Sequence, residues 1–185
     1  FLQKRQYVKI QFIQYHRIIC MHKPLLRMSQ KNENKLILVS KNTLFVILAD
    51  HGHYLPSHSL ILEPHSRRIP LLFYGEVIKP EYRGTKIHMA GGHHDVPATL
   101  LYQMAINATA YKWSKNLLNP LTQSYAFYQF EETIGFVEDA KWVAYSYNTE
   151  RVVNHSRPMT TIEKDSLLLK GKSYLQRLYS QYQEY

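Results

Sequence analysis

Cysteine is almost absent from this sequence, in which Cys20 is the only one. No disulfide can form within the chain, so cysteine usage does not indicate the redox compartment. Long apolar runs are also missing: residues 44–49 form one of the longest, far short of the roughly 20 residues that span a bilayer. No charged leader followed by an apolar stretch opens the chain. These residues therefore predict neither a membrane span nor a signal peptide.

Acidic residues are scarce in the first part of the chain. Residues 1–42 contain nine Lys/Arg and one acid, Glu33, whereas residues 43–185 contain fourteen basic and thirteen acidic residues. The formal net charge of +9 is therefore concentrated in one segment. Such a basic arm could bind anionic lipid or nucleic acid. Its many aromatic and aliphatic residues argue against nucleic acid, because a solvated arm does not need them.

The middle of the chain alternates between strand and helix patterns. The run 43–49, TLFVILA, is apolar on both faces, which predicts a strand buried in a parallel sheet. Residues 69–74 predict a second such strand. Asp95 predicts the N-cap of a helix over 96–106, with Pro97 in its first turn. Strands and helices in this order indicate an α/β sandwich.

The last third of the chain has a different pattern. Aromatic residues cluster in strand-like fashion at 125–130, 135–137 and 142–147, which predicts an antiparallel meander. From 162 to 182 we expect an amphipathic closing helix, because the spacing is nearly helical at Leu168, Lys172, Leu175, Leu178 and Tyr182. The chain is thus divided into a basic segment of undefined fold, 1–40, and one domain, 41–185.

The tetrapeptide Asp50-His51-Gly52-His53 directly follows the first predicted strand. Ligands of open α/β sheets bind beyond the carboxyl ends of the strands, so this position suits chemistry. A carboxylate oxygen and an imidazole nitrogen suit a divalent metal, and Gly52 would let the chain turn so that both face one ion. Two ligands do not complete a metal site. In the alternative interpretation, Asp50 caps a turn and His51 lies on the surface.

Four segments follow one another in a recognisable order: KNTLFVILADHGH, RRIPLLFYG, GGHHDVPATLLYQMAIN and WSKNLLNP. This ordered set resembles the C-terminal portion of the sulfatase-like members of the alkaline phosphatase superfamily, above all the lipoteichoic acid synthase type of phosphoglycerol transferase. The resemblance covers about residues 41 to 150, and the tail to Tyr185 fits it. It implies the C-terminal part of a three-layer α/β/α sandwich of alkaline phosphatase/sulfatase type, with a small antiparallel meander and a closing helix.

The resemblance assigns Asp50 and His51 as metal ligands. His53, in the loop that follows, could face the substrate, an anionic phosphate or sulfate ester. The nitrogen ligand favours Mn²⁺ or Zn²⁺, while many sulfatases use Ca²⁺ with similar loops. The implied reaction is phosphoglycerol transfer, or hydrolysis of a sulfate or phosphate ester. It would proceed through a metal-activated hydroxyl nucleophile and a covalent intermediate.

The nucleophile is not found in these residues. In the resembling family it is a Thr, or a modified Cys or Ser, far N-terminal of the Asp-His pair, and Cys20 lacks the C/S-x-P-x-R context of a sulfatase nucleophile. The resemblance thus implies a fragment whose parent is membrane-anchored, has an extracytoplasmic catalytic domain and meets a lipid headgroup. The alternative is a catalytically inactive fragment, from a truncated or frame-disturbed gene, or a binding module.

Two further groups have a structural and a functional interpretation. His93 and His94 stand beside Asp95 and could form a second metal site, but in the resembling family this position is usually not a ligand. The aromatic residues of 125–130 could stack on a sugar or lipid headgroup, although such a run more often forms sheet core. His58 and His65 belong to the loop after the Asp-His pair, where solvated histidines are common.

Overall fold

The computed structural model describes residues 8–9, 43–53 and 60–184. The described residues form a mixed α/β structure with two four-stranded sheets and two α-helices. The chain divides into two compact units: one comprises Phe1–Asp50 and Ile69–His88, and the other comprises His51–Arg68 and Met89–Tyr185. The boundary expected at residue 40 falls outside the described residues and stays a prediction.

The sheet of the first unit contains four short strands in the order β2-β3-β1-β4. They are β1 (Val8–Lys9), β2 (Phe45–Leu48), β3 (Leu71–Tyr74) and β4 (Thr85–Lys86). Strands β2 and β3 pair antiparallel along their whole length, with Phe45 opposite Tyr74 and Leu48 opposite Leu71. Strand β1 runs antiparallel to β3 and parallel to β4.

The two predicted strands are confirmed, but the parallel pairing predicted for both is wrong, because β3 pairs antiparallel with β2 and with β1. Apolar residues on both faces of a strand indicate that both faces are covered by other parts of the protein. They do not indicate whether the neighbouring strand runs parallel or antiparallel. Strand β2 also lies at the edge of the described sheet, and Leu48 is 40% exposed. Directly after β3, the backbone of Gly75 lies so close to Thr43 that a Cβ at Gly75 would be 2.3 Å from the Thr43 carbonyl oxygen.

The second unit contains helix α1 and the predicted meander. Helix α1 is Val96–Gln103, and it ends before the expected residue 106 because Ala105 adopts a positive φ of 56°. The meander is confirmed, and each strand pairs antiparallel with the next. Its strands are β5 (Tyr125–Phe130), β6 (Thr133–Glu138), β7 (Lys141–Ser146) and β8 (Arg151–His155).

The closing helix α2, Thr161–Gln183, packs on one face of the meander and completes the core of this unit. Phe136, Val143 and Leu167 form the buried centre of that core. Gly171 brings the helix close to the sheet, since a Cβ there would lie 3.1 Å from the Cβ of Phe136. The helix is therefore confirmed, but its inner face is centred on Leu167 and Gly171. Tyr182 is exposed, whereas Lys172 Nζ lies 4.1 Å from the centroid of the Tyr145 ring on β7.

The start of α2 is fixed by reciprocal hydrogen bonds. The Glu163 amide donates to Thr160 Oγ1 (3.3 Å), and Glu163 Oε2 accepts from the Thr160 amide (2.9 Å). Lys141 Nζ also donates to this carboxylate. These hydrogen bonds, first that of Lys141 and then those of Thr160, lower the pKa of Glu163 to about 2. The charged form of Glu163 thus stabilises the folded state.

We expect the Glu163→Gln variant to be less stable than wild type at neutral pH. Because folding depresses this pKa from 4.5 to about 2, the carboxylate's contribution is complete above pH 4.5 and is lost as the pH falls through about 2. Thermal melts followed by circular dichroism at several pH values should therefore show the two proteins converging in acid. Asp165→Asn, on the same helix and exposed, is the control. A difference that persists unchanged in acid would contradict this role.

Candidate functional site

The Asp-His pair begins two residues after the end of β2. Asp50 and His51 are both exposed. His51 Nδ1 lies 2.8 Å from the Gly52 carbonyl oxygen. Because a carbonyl oxygen only accepts, Nδ1 carries the hydrogen in this contact, and in this tautomer Nε2 is the nitrogen suited to coordination. A deprotonated ring nitrogen is the form that coordinates a metal.

Gly52 has a different role from the sharp turn that the sequence predicts. Its φ is not in the left-handed region. Instead its backbone lies directly against the next part of the loop, since a Cβ would be 2.3 Å from the Ser66 carbonyl oxygen and 2.7 Å from the carbonyl carbon of Arg67. This close approach places residues 51–53 beside residues 66–67 within one unit. His53 is exposed and its contact with substrate stays a prediction, while His58 lies outside the described residues.

Residues 60–68, which we call the arginine turn, are held in place by buried hydrogen bonds. Pro64–Arg67 form a 3-10 turn. The Ser66 hydroxyl is buried and shares its proton between the carbonyl oxygens of Glu63 (2.8 Å) and Ile61 (3.0 Å). The Tyr128 hydroxyl on β5 donates to the Leu62 carbonyl (2.7 Å). Burial raises the pKa of Tyr128, so the phenol remains a donor at any physiological pH.

The Tyr128 ring stands over a glycine on the neighbouring strand. Gly135 is directly opposite Tyr128 in the β5–β6 register, and a Cβ at Gly135 would lie 1.9 Å from Cζ of the ring. Only glycine accommodates the ring in this position. The Gly135–Tyr128 pair therefore sets where the arginine turn attaches to the meander.

The last two residues of the arginine turn are Arg67 and Arg68. The Arg67 guanidinium lies 4.5 Å from the centroid of the Phe130 ring, and its Nη2 donates to the Ile61 carbonyl (3.3 Å). Its Nε is buried and has no hydrogen-bond partner among the residues that the structure describes. A buried N–H without an acceptor is costly, particularly on a charged group.

Arg68 contacts a neutral histidine. Its Nη1 lies 3.2 Å from His65 Nε2, and since a guanidinium only donates, that nitrogen accepts and is unprotonated. Burial, followed by the charge of Arg68, lowers the pKa of His65. Burial also lowers the pKa of Arg68. Within the described ranges neither Arg67 nor Arg68 pairs with a carboxylate.

A buried ion pair joins Asp95 to Lys115. The Asp95 carboxylate is fully buried and accepts from the Gly92 amide (2.9 Å), the Lys115 amide (2.9 Å) and Lys115 Nζ (2.6 Å). Lys115 Nζ also lies 4.2 Å from the centroid of the Tyr125 ring. Burial lowers the pKa of Lys115, and the attraction of Asp95 opposes that shift.

Asp95 is the N-cap residue of α1, as predicted, but its side chain does not cap the helix. Asp95 directly precedes α1, but its carboxylate makes no capping bond to that helix, because its oxygens are bonded to Gly92 and Lys115 instead. His94 lies against the same carboxylate, with Nε2 3.5 Å from Oδ1. Burial is the main cause that lowers the pKa of His94. Across the described ranges, no three or more His, Cys, Asp or Glu side chains come together as a metal-binding group.

The aromatic run of β5 is largely core, as its structural interpretation predicts. Phe127 stacks on Tyr174 of α2 with 4.6 Å between ring centroids, and Tyr125 stacks on Phe136 at 5.8 Å. Burial is the main cause that raises the pKa of Tyr174 to about 12. These partly buried rings pack against the core of the unit.

A solved structure is similar to most of this chain. It is a protein in the alkaline phosphatase superfamily from Vibrio parahaemolyticus, with 19% sequence identity, a TM-score of 0.51 and coverage of 91% of this chain. The fold of this chain is similar to part of that protein's fold. It spans 45% of that protein's length, and at this identity the likeness concerns the fold alone.

Other comparisons add no closer relationship. No protein family matches the sequence, and no curated protein matches it significantly. Neither described helix is long and apolar enough to cross a lipid bilayer.

Proposed function

We propose that this chain is part of a metal-dependent, sulfatase-like enzyme and supplies two of its metal ligands, Asp50 and His51. The observation that carries the proposal is an Asp-His pair just past the end of a β-strand in a chain whose fold is similar to part of an alkaline phosphatase superfamily protein. The hydrogen bond of His51 supports it, because a metal-binding histidine commonly donates its other ring N–H to a backbone carbonyl, as Nδ1 does here. The complete enzyme would be a three-layer α/β/α sandwich.

The reaction proposed for the whole enzyme is transfer of a phosphoglycerol group, as in lipoteichoic acid synthase type transferases, or hydrolysis of a sulfate or phosphate ester. A bound divalent ion would polarise the ester oxygens and acidify an attacking hydroxyl. In this chain, Asp50 would hold the ion through its carboxylate and His51 through Nε2, while His53 would donate to the anionic ester. Mn²⁺ and Zn²⁺ suit this oxygen and nitrogen pair best, with Ca²⁺ as the alternative.

Metal titration tests the ligand assignment. We expect the chain to bind Mn²⁺ or Zn²⁺ weakly, because two protein ligands leave the other coordination positions to water. Asp50→Asn and His51→Ala should each weaken binding by about tenfold or more in isothermal titration. Binding should also weaken in acid, because a protonated imidazole cannot coordinate.

The matched control removes His93 and His94, which belong to the same unit as His51. The His93→Ala/His94→Ala double variant should bind the metal as wild type does. The assignment fails if this control loses binding while Asp50→Asn and His51→Ala retain it. In that case the metal site would lie at the second pair of histidines.

A further inference from the structure

The arginine turn carries two cationic side chains without carboxylate partners in the described part of the chain. Both are partly buried, and guanidinium groups in such positions normally pair with an anion. The buried Nε of Arg67 is a donor without an acceptor among the described residues. Five N–H groups in a planar fork match the oxygens of phosphate or sulfate.

The arginine turn is also fixed before any ligand arrives. The buried Ser66 hydroxyl holds its backbone from inside, and Tyr128 fastens it to β5 through the Leu62 carbonyl. Phe130 supports the guanidinium plane of Arg67 from below. A binding group that is already ordered loses little conformational entropy when it binds, which favours affinity for a small ligand.

The location of the arginine turn links it to the Asp-His loop. Gly52 packs its backbone against Ser66 and Arg67. The arginine turn therefore lies beside the loop that carries His51 and His53. Glu63 is the only acidic residue of the turn, so Arg67 and Arg68 outweigh its charge, while His65 is neutral where it accepts from Arg68.

We infer that Arg67 and Arg68 form an oxyanion subsite that binds the phosphate or sulfate group of an ester. This inference rests on the proposed function and specifies how that site recognises its substrate. Arg67 would donate from Nη1, since its Nη2 already donates to the Ile61 carbonyl and its Nε is buried, and Arg68 would add a second positive charge. The ligand is recognised by its tetrahedral oxyanion, which phosphate and sulfate esters share.

Titration with small esters tests this subsite. The full chain, kept in EDTA, is titrated with glycerol 1-phosphate and with methyl sulfate, and binding is followed by NMR shifts of the backbone amides of 60–68. Arg67→Gln and Arg68→Gln should each weaken binding by about tenfold, the usual effect of one charge-assisted hydrogen bond. Arg151→Gln, an exposed arginine of the same unit, should leave it unchanged. The ester that binds more tightly identifies the preferred chemistry.

Two additions keep the test decisive. Arg67→Lys keeps the positive charge but loses the planar guanidinium, so it should fold and bind the esters with intermediate affinity. If Arg67→Gln unfolds, Arg67→Lys and Arg68→Gln still test the subsite. Asp50→Asn should retain ester binding in EDTA, which separates this subsite from the metal ligands. The inference is overturned if wild type binds neither ester, or if the arginine variants bind as wild type does. If wild type binds no metal while the arginine variants still weaken ester binding, only the metal assignment is overturned.

Discussion

Replacing Asp95 with alanine is expected to destabilise the chain by roughly 3–5 kcal/mol, the cost of breaking a buried ion pair from one side. The Lys115 ammonium would remain in a site where its side chain is only 10% exposed. The amides of Gly92 and Lys115 would lose their acceptor as well. Denaturant unfolding followed by circular dichroism measures the loss.

Two comparisons isolate the cause of that loss. Asp165→Ala removes an exposed carboxylate from the same unit and should change stability by no more than about 0.5 kcal/mol. Lys115→Met removes the buried charge, so Asp95→Ala should cost less in that background than in wild type. Equal costs in the two backgrounds would show that the ion pair is not the source of the effect.

Gly135→Ala is expected to cost roughly 1–3 kcal/mol, as overpacking of a filled site does. The added Cβ would lie 1.9 Å from the Tyr128 ring, so the ring must move. Its hydroxyl would then lose the Leu62 carbonyl, and the arginine turn would shift on the meander. Denaturant unfolding gives the stability change, and NMR shifts of residues 60–68 report the displacement.

The Tyr128→Ala background tests this explanation directly. With the ring removed, Gly135→Ala should cost little beyond what Tyr128→Ala itself costs. If Gly135→Ala were equally costly in both backgrounds, the glycine would be required for its backbone and not for the space under the ring. The arginine turn should show the same shifts in Tyr128→Ala as in Gly135→Ala.

The sequence predicts those elements whose pattern arises from near neighbours. The meander and α2 are read from alternation and helical spacing, which depend on residues a few positions apart. The end of α1 cannot be read in this way, because the residue in the left-handed conformation is Ala105 and not a glycine, the residue that usually signals the end of a helix. The direction of β2 relative to β3 is not predicted either, since it depends on a strand more than twenty residues further along the chain.

The candidate site divides in the same way. The position of Asp50 and His51 after a strand follows from the sequence, whereas their role as ligands stays a prediction. The partner of Asp95 is Lys115, twenty residues away, and no local pattern links the two. Arg67 and Arg68 stand beside each other in the sequence, but their lack of a carboxylate partner emerges only when the turn is folded onto Phe130 and His65.

The attachment of the arginine turn by Tyr128 also bears on the order in which this unit forms. Neighbouring strands of the meander are joined by short turns and α2 follows soon after, so most of their contacts close small loops quickly. The Tyr128–Leu62 hydrogen bond spans 66 residues, and its closure carries a larger entropic penalty. The meander and α2 are therefore expected to assemble first, as the template on which the arginine turn docks. Under this order, the two arginines reach their folded positions only after the core beneath them has formed.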